Sequence, residues 1–252
     1  MIRRAFGFIV RRGFRLSLFA AALACGGLLA NGVISNPVNG SGKSVTVDRP
    51  IGNVTEVVIS GVGNVNLIRG DVPRVRVTAD DNILEFLETK ISNSKLTIQT
   101  KSGFSIHPVT PIVYTVTLPR LEKLTVSGVG NVQAAGLVGD SLTIKLSGAG
   151  NANLKDIACK TLNLTMSGAG NATLAGAVEK VEVRLSGAGD IDAVGLKAAV
   201  ADTRISGAGT AKMWVTDELK VKVSGAGTIQ YKGSPRIEQK ISGAGSVKPF
   251  GG

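Results

Sequence analysis

Ser147-Gly148-Ala149-Gly150 belongs to a set of eight short motifs, Ser-Gly-Ala-Gly or Ser-Gly-Val-Gly, that decides the fold of this 252-residue chain. The copies begin at Ser60, Ser127, Ser147, Ser167, Ser186, Ser206, Ser224 and Ser242. From Ser127 onward they recur every 18 to 20 residues. A near-constant period of this length indicates a repeat architecture.

Apolar and polar residues alternate on both sides of every motif. The residue directly before the serine is apolar in all eight copies, from Ile59 to Ile241, and the second residue after the last glycine is apolar in all eight, from Val65 to Val247. Period-two alternation is typical of strands that turn one face inward. The alternation and the glycines exclude helices, so the sequence predicts an all-β protein.

A period of 18 to 20 residues suits one coil of a β-solenoid with two or three short strands, and the motif count predicts about seven or eight coils. Stacked coils place equivalent residues above one another, so the motif glycines are expected at a corner where a Cβ atom would clash. These corner glycines are Gly128, Gly130, Gly148, Gly150, Gly168, Gly170, Gly187, Gly189, Gly207 and Gly209. A closed set of antiparallel hairpins is the alternative, but it does not explain why each corner repeats the same four residues.

Residues 1–30 are predicted to be an export signal, because five arginines precede an apolar run from Leu16 to Ala24. Ala22-Leu23-Ala24 fits a signal peptidase site, whereas Cys25 in the same stretch loosely fits a lipidation site. An uncleaved anchor is a third possibility. We therefore expect a protein exported to the periplasm, the outer membrane or the cell surface, with any membrane attachment through its N-terminus.

The remaining chain divides into a predicted linker and one domain. Residues 31–43 are rich in Gly, Ser and Asn and are interpreted as a linker, which leaves 44–252 as the β-solenoid domain. The first two motifs are much further apart than one period, so residues 70–117 are predicted to be a β-rich insertion near the N-terminal end of the solenoid.

The composition and net charge of the chain limit the classes of function that it can have. The formal net charge is +11, but five arginines lie in residues 1–30, and the remaining positive charge is too diffuse to favour nucleic acid. Cys159 is the only cysteine after the leader and is interpreted as a small buried hydrophobe. No His or Cys cluster suggests a metal site, and we expect no cofactor.

Asp190 and Asp192 form the best pair of carboxylates for a glycoside hydrolase, which generally needs two. In other copies the same two positions hold Asn, Gln, Thr, Ser or Lys, so Asp190 is interpreted as part of a polar corner column. A calcium site here is a weaker alternative, because the phase differs from calcium-binding repeats. We therefore predict no catalytic residue and no enzyme activity.

A basic column is the second candidate site. Two residues before the serine, the last four copies carry Arg184, Arg204, Lys222 and Lys240, which would stack on the outer surface. Such a column could bind an anionic envelope polysaccharide. A neighbouring column of Glu182, Asp202, Lys220 and Glu238 is largely acidic, so a surface laced with ion pairs is the preferred interpretation. The candidate binding residues are these four cations together with Asp190 and Asp192.

The chain resembles the head GIN domain family of autotransporter adhesins, a bacterial group. The resemblance rests on the leader, Gly61-Val-Gly-Asn-Val-Asn-Leu67, Ser94-Lys-Leu-Thr-Ile98, Leu118-Pro-Arg-Leu121 and the serial motif, and it covers about residues 50 to 245. It implies a β-helical fold and an envelope or surface location.

The predicted function is an exported adhesion or interaction module that binds an envelope polysaccharide or another surface protein through the outward faces of the solenoid. A polysaccharide-active β-helix enzyme and an envelope scaffold without a specific ligand are the alternatives. The oligomeric state stays open.

Overall fold

The computed structural model describes residues 36–250, and this part of the chain is built almost entirely from β-strands. The strands are β1 (Asn36–Asn39), β2 (Ser44–Pro50), β3 (Glu56–Val62), β4 (Asn64–Arg69), β5 (Arg74–Asp80), β6 (Leu87–Ser92), β7 (Lys95–Thr100), β8 (Phe104–His107), β9 (Val113–Leu118), β10 (Lys123–Val129), β11 (Val132–Ala135), β12 (Val138–Leu146), β13 (Ala152–Met166), β14 (Ala172–Leu185), β15 (Ile191–Ile205), β16 (Thr210–Val223), β17 (Thr228–Lys232), β18 (Arg236–Ile241) and β19 (Ser246–Pro249). A short 3₁₀ helix spans Leu84–Phe86.

The strands after residue 122 form a parallel β-solenoid, as the motif period predicts. Each coil pairs in register with the next, so that Leu124 aligns with Ile144, Ile144 with Leu164, and Leu164 with Val183. The uninterrupted part of the solenoid has about six turns, because the seven motif copies from Ser127 to Ser242 enclose six intervals. The Ser60 coil and the residues before it add to this stack.

Each coil has three short faces, which β13 illustrates. Its buried residues alternate within 152–154, 157–159 and 162–166, and the alternation is interrupted at residues 155–156 and 160–161, where the chain bends. We name these segments face B (152–154), face C (157–159) and face A (162–166), with the equivalent residues of other coils. The motif corner joins face A of one coil to face B of the next.

The core inside the three faces is mainly aliphatic, as expected from a composition with 4% aromatic residues. Its largest fully buried side chains include Leu124, Ile144, Leu154, Leu164 and Leu174. Burial of such a side chain stabilises the fold by roughly 1.5–3 kcal/mol. In the described part of the chain the buried polar side chains are Asp80 and Thr203.

Residues 70–117, which the sequence predicts to be an insertion, contribute strands to the parallel stack. Strand β7 pairs in parallel with β3, and β9 pairs in parallel with β4, so these residues build a further coil on the far side of the Ser60 coil. The Ser60 coil therefore lies between this coil and the one formed by β10 and β11. Antiparallel β2, β5 and β6 then end the parallel stack at this side.

The predicted linker, residues 31–43, is partly structured. Residues 36–39 form β1, which pairs in parallel with β8. Polar and small residues indicated a loop, but strand pairing depends on a partner far along the chain, which local composition does not reveal. Residues 1–35, with the predicted export signal and Cys25, lie outside the described residues, as do residues 251–252.

Candidate functional site

The motif corner is filled by the backbone of neighbouring coils. A Cβ atom on Gly148 would overlap the carbonyl oxygen of Gly128, and one on Gly168 would overlap that of Gly148. All ten corner glycines named above face such an overlap with the matching glycine of the preceding coil. The Ala149 N–H also donates to the Gly128 carbonyl at 3.0 Å. The backbones of stacked corners are therefore in direct contact.

A ladder of side-chain hydrogen bonds runs beside the corner. The Asn131 side-chain oxygen accepts from the backbone N–H of Asn151 at 3.1 Å, and the Asn151 oxygen accepts from that of Asn171 at 3.2 Å. The Asn171 oxygen accepts from the Asp190 N–H at 3.1 Å, and Asp190 in turn accepts from the Thr210 N–H at 2.8 Å. Asp190 therefore accepts the same hydrogen bond from the next coil as the asparagines before it.

Asp192 lies on face B, two residues after Asp190. Both side chains are exposed. An Asp192 carboxylate oxygen accepts a hydrogen bond from the backbone N–H of Val194 at 3.2 Å. The acid of a glycosidase typically lies in a desolvated pocket, whereas both of these carboxylates are exposed.

The predicted basic column does assemble on face A. Arg184 aligns with Arg204, Arg204 with Lys222, and Lys222 with Lys240 on successive strands. The acidic column aligns beside it, with Glu182 next to Asp202. The structure therefore brings the four cations of the candidate set into one row and separates them from Asp192 on face B.

Half of this row is neutralised. Arg204 makes two hydrogen bonds to the Asp202 carboxylate, at 3.2 and 2.9 Å, and these bonds raise the pKa of Arg204. Arg184 lies 3.7 Å from Glu182. Exposed pairs of this kind contribute about 0–1 kcal/mol each, so they mainly remove free positive charge from the surface.

Lys222 and Lys240 differ from the two arginines. Neither forms an ion pair with a carboxylate among residues 36–250. The neighbouring Glu218 is instead occupied by Lys220 at 3.2 Å and Arg236 at 3.1 Å, and these two contacts lower the pKa of Glu218. The free positive charge of the column is therefore concentrated in its last two coils.

A second cationic arrangement, which sequence reasoning missed, surrounds Trp214. Lys197, Trp214 and Lys232 are aligned on three successive coils. The Lys197 ammonium lies 5.7 Å from the centroid of the indole and the Lys232 ammonium 4.8 Å, both within the range of cation–π attraction. Trp214 itself is half-buried.

Other candidate groups offer no reactive site in the described chain. Burial raises the pKa of the Cys159 thiol, which disfavours the reactive thiolate. Residues 36–250 contain no group of three or more His, Cys, Asp or Glu side chains placed to hold a metal ion. Within the same range, none of the helical segments has the length and apolar character needed to cross a bilayer.

The architecture defines a three-faced parallel β-solenoid protein with a repeated glycine corner. The family described as "putative auto-transporter adhesin, head GIN domain" matches residues 53–235, and the chain belongs to this family. The resemblance inferred from the sequence is therefore confirmed. A search of curated proteins found no relative that matches the chain.

Several solved structures have the same fold. A putative adhesin from Bacteroides fragilis NCTC 9343 is 26% identical, with a TM-score of 0.80 over 84% of this chain and 100% of that one. A putative adhesin from Parabacteroides distasonis ATCC 8503 is also 26% identical, with a TM-score of 0.65 over 85% of this chain and 100% of that one. A putative lipid binding protein from the same strain is 22% identical, with a TM-score of 0.70 over 86% of this chain and 100% of that one, which shows the shared fold alone.

Proposed function

We propose that this protein is an exported adhesion or interaction module of the cell envelope, which binds an envelope polysaccharide or another surface protein and catalyses no reaction. The observation that carries the proposal is the set of outward columns on a rigid solenoid. On face A, four cations repeat at the strand spacing of about 4.8 Å. Membership of an adhesin family supports the same function.

The location is part of the proposal. The predicted export signal at residues 1–30 carries the chain out of the cytoplasm to the periplasm, the outer membrane or the cell surface. Cleavage at Ala24 and lipidation would both leave Cys25 as the first residue. The intact mass of the mature protein therefore separates them, and we expect the mass of an unmodified chain that begins at Cys25.

The enzyme alternative has less support. Asp190 is engaged by the Thr210 N–H in the corner ladder, and Asp192 is exposed. The buried carboxylate Asp80 accepts hydrogen bonds from Gly42, Val109 and Thr110, so it is held by the fold. The ion pairs that neutralise part of face A favour the scaffold alternative. This alternative predicts that the protein retains no ligand.

A binding and turnover assay on the mature protein tests the proposal. The protein is applied to a glycan array and used to capture envelope extracts, and retained polysaccharide is assayed for new reducing ends. We expect retention without turnover. Turnover that is lost in Asp190→Asn/Asp192→Asn would establish the enzyme, and no retention of any glycan or surface protein would favour the scaffold.

A matched pair of double variants assigns the binding face. Lys222→Gln/Lys240→Gln removes the unpaired half of the basic column, whereas Lys90→Gln/Lys160→Gln removes two lysines that are paired with Glu88 at 2.6 Å and with Asp140 at 2.9 Å. If the basic column contributes, Lys222→Gln/Lys240→Gln lowers retention and Lys90→Gln/Lys160→Gln does not. Equal retention by both variants would exclude face A as the binding surface.

A further inference from the structure

The column of Lys197, Trp214 and Lys232 stands apart from the rest of the surface of the solenoid. Parallel pairing of β15, β16 and β17 places an indole between two ammonium groups, at 5.7 and 4.8 Å from its centroid. The two lysines belong to coils two steps apart, which corresponds to about 10 Å along the solenoid axis. Both lysines are exposed.

These ammonium groups are free of carboxylate partners. Among residues 36–250, no Asp or Glu lies within ion-pair distance of Lys197, Lys212 or Lys232. Asp192 aligns with Lys212 on the neighbouring strand and Asp217 follows Trp214 by three residues, yet neither forms an ion pair. By contrast, Lys180 on the neighbouring strand β14 and Lys220 on β16 are each paired with a glutamate.

We propose that the Lys197–Trp214–Lys232 column is a binding site for an acidic polysaccharide. The two ammonium groups contact carboxylate, sulfate or phosphate groups along the glycan, and the exposed part of the indole packs against the C–H groups of a sugar ring. The proposal rests on the adhesion function and names the ligand class and the location. The cation–π contacts hold both lysines near the ring, which lowers the entropy cost of fixing them on a ligand.

The geometry favours a polysaccharide over a membrane. Proteins that lie on membranes insert several apolar side chains into the interface, whereas this column offers one indole that is already half-buried. The cations are arranged in a line along the solenoid axis, which suits an extended polyanion. A single-stranded nucleic acid could also use stacking and positive charge, so it is included in the test.

Trp214 provides a direct readout, because it is the only tryptophan in the chain. Polygalacturonate is titrated into the full protein while the tryptophan emission is followed, with neutral dextran as the control polymer. We expect a saturable change in emission with polygalacturonate, no change with dextran, and weaker binding as sodium chloride is raised, since salt screens exposed charges.

Two double variants decide the location. Lys197→Gln/Lys232→Gln is expected to weaken the binding of polygalacturonate by about tenfold. Lys180→Gln/Lys220→Gln makes the same change of net charge in nearby coils, but at paired lysines, and is expected to change the affinity by less than about twofold. Far-ultraviolet circular dichroism verifies that both variants keep the β-fold.

The inference fails if the wild-type protein gives no saturable change, or if both double variants weaken binding equally. It also fails if vesicles of phosphatidylcholine and phosphatidylglycerol, or a single-stranded oligonucleotide, bind more tightly than polygalacturonate. If the protein still captures envelope material while Lys197→Gln/Lys232→Gln has no effect on that capture, the adhesion function stands and this site does not.

Discussion

Asp190 accepts a hydrogen bond from the backbone N–H of Thr210 across the boundary between two coils, at 2.8 Å. The same contact joins Asn131 to Asn151 and Asn151 to Asn171. An aspartate that looked like half of a catalytic pair is therefore one step of a structural ladder. For the five positions from Asn64 to Asp190, the short polar residue that follows the motif is explained by the next coil, which presents an N–H group to it.

Asp190→Asn and Asp190→Ala should differ in stability. Asparagine keeps the accepting oxygen and occupies this position in earlier coils, so we expect a thermal midpoint within about 2 °C of wild type. Alanine removes the acceptor, and we expect a loss of about 1 kcal/mol, or roughly 2–4 °C. Calorimetric scans compare the variants, and an equal drop for both would contradict the ladder.

Asp80 links the N-terminal coils to two loops. Its buried carboxylate accepts hydrogen bonds from the backbone N–H groups of Gly42 and Val109, at 3.1 and 2.8 Å, and from the Thr110 hydroxyl at 2.8 Å. Burial alone would raise the pKa of Asp80, but the hydrogen bonds from Thr110, Val109 and Gly42 outweigh it and lower the pKa below its ordinary value.

This pKa shift predicts a dependence of stability on pH. Because the folded-state pKa is lowered, the stabilisation from Asp80 is fully present above the ordinary aspartate pKa of 3.8 and is lost as the pH falls through the lowered value. Asp80→Asn should lower the thermal midpoint at pH 7 by several degrees and reduce its fall in acid. Asp217→Asn, at an exposed position, is the control, and identical acid profiles for wild type and Asp80→Asn would refute the prediction.

Cys159 should react slowly with thiol reagents in the native protein. Burial raises the pKa of its thiol and limits access, so little thiolate forms near pH 8. In a Cys25→Ser background, we expect modification by Ellman's reagent to be at least about tenfold slower than in urea. Rapid modification of the folded protein would indicate an open, activated thiol.

The spacing of one motif predicts most of the fold, but it does not predict the N-terminal coils. Strand β7 contains Leu96 and Ile98 in the expected alternation, yet the motif does not follow it. Its partner is β3, although strands β4, β5 and β6 lie between the two in the sequence, so the order of coils in space differs from the order in sequence. Local patterns carry no information on such a partner.

The candidate site was predictable where the register is regular. Arg184 and Arg204 lie at a fixed distance before the serine, so their alignment could be derived from the sequence. Lys197 lies eight residues after its motif, whereas Trp214 and Lys232 lie five residues after theirs. The register shifts between Ala193 and Lys197 remove this difference in the folded chain, and sequence alignment of the copies therefore missed the column.

The central claim is that the repeated motif builds the corner and leaves recognition to the outward columns. The thermal midpoints of Gly148→Ala and Ala149→Val test it most directly. A Cβ on Gly148 would overlap the Gly128 carbonyl oxygen, whereas Ala149 is exposed and aligns with Val129. We predict a drop of about 5 °C or more for Gly148→Ala and less than about 2 °C for Ala149→Val. Equal midpoints for the two variants would contradict the claim.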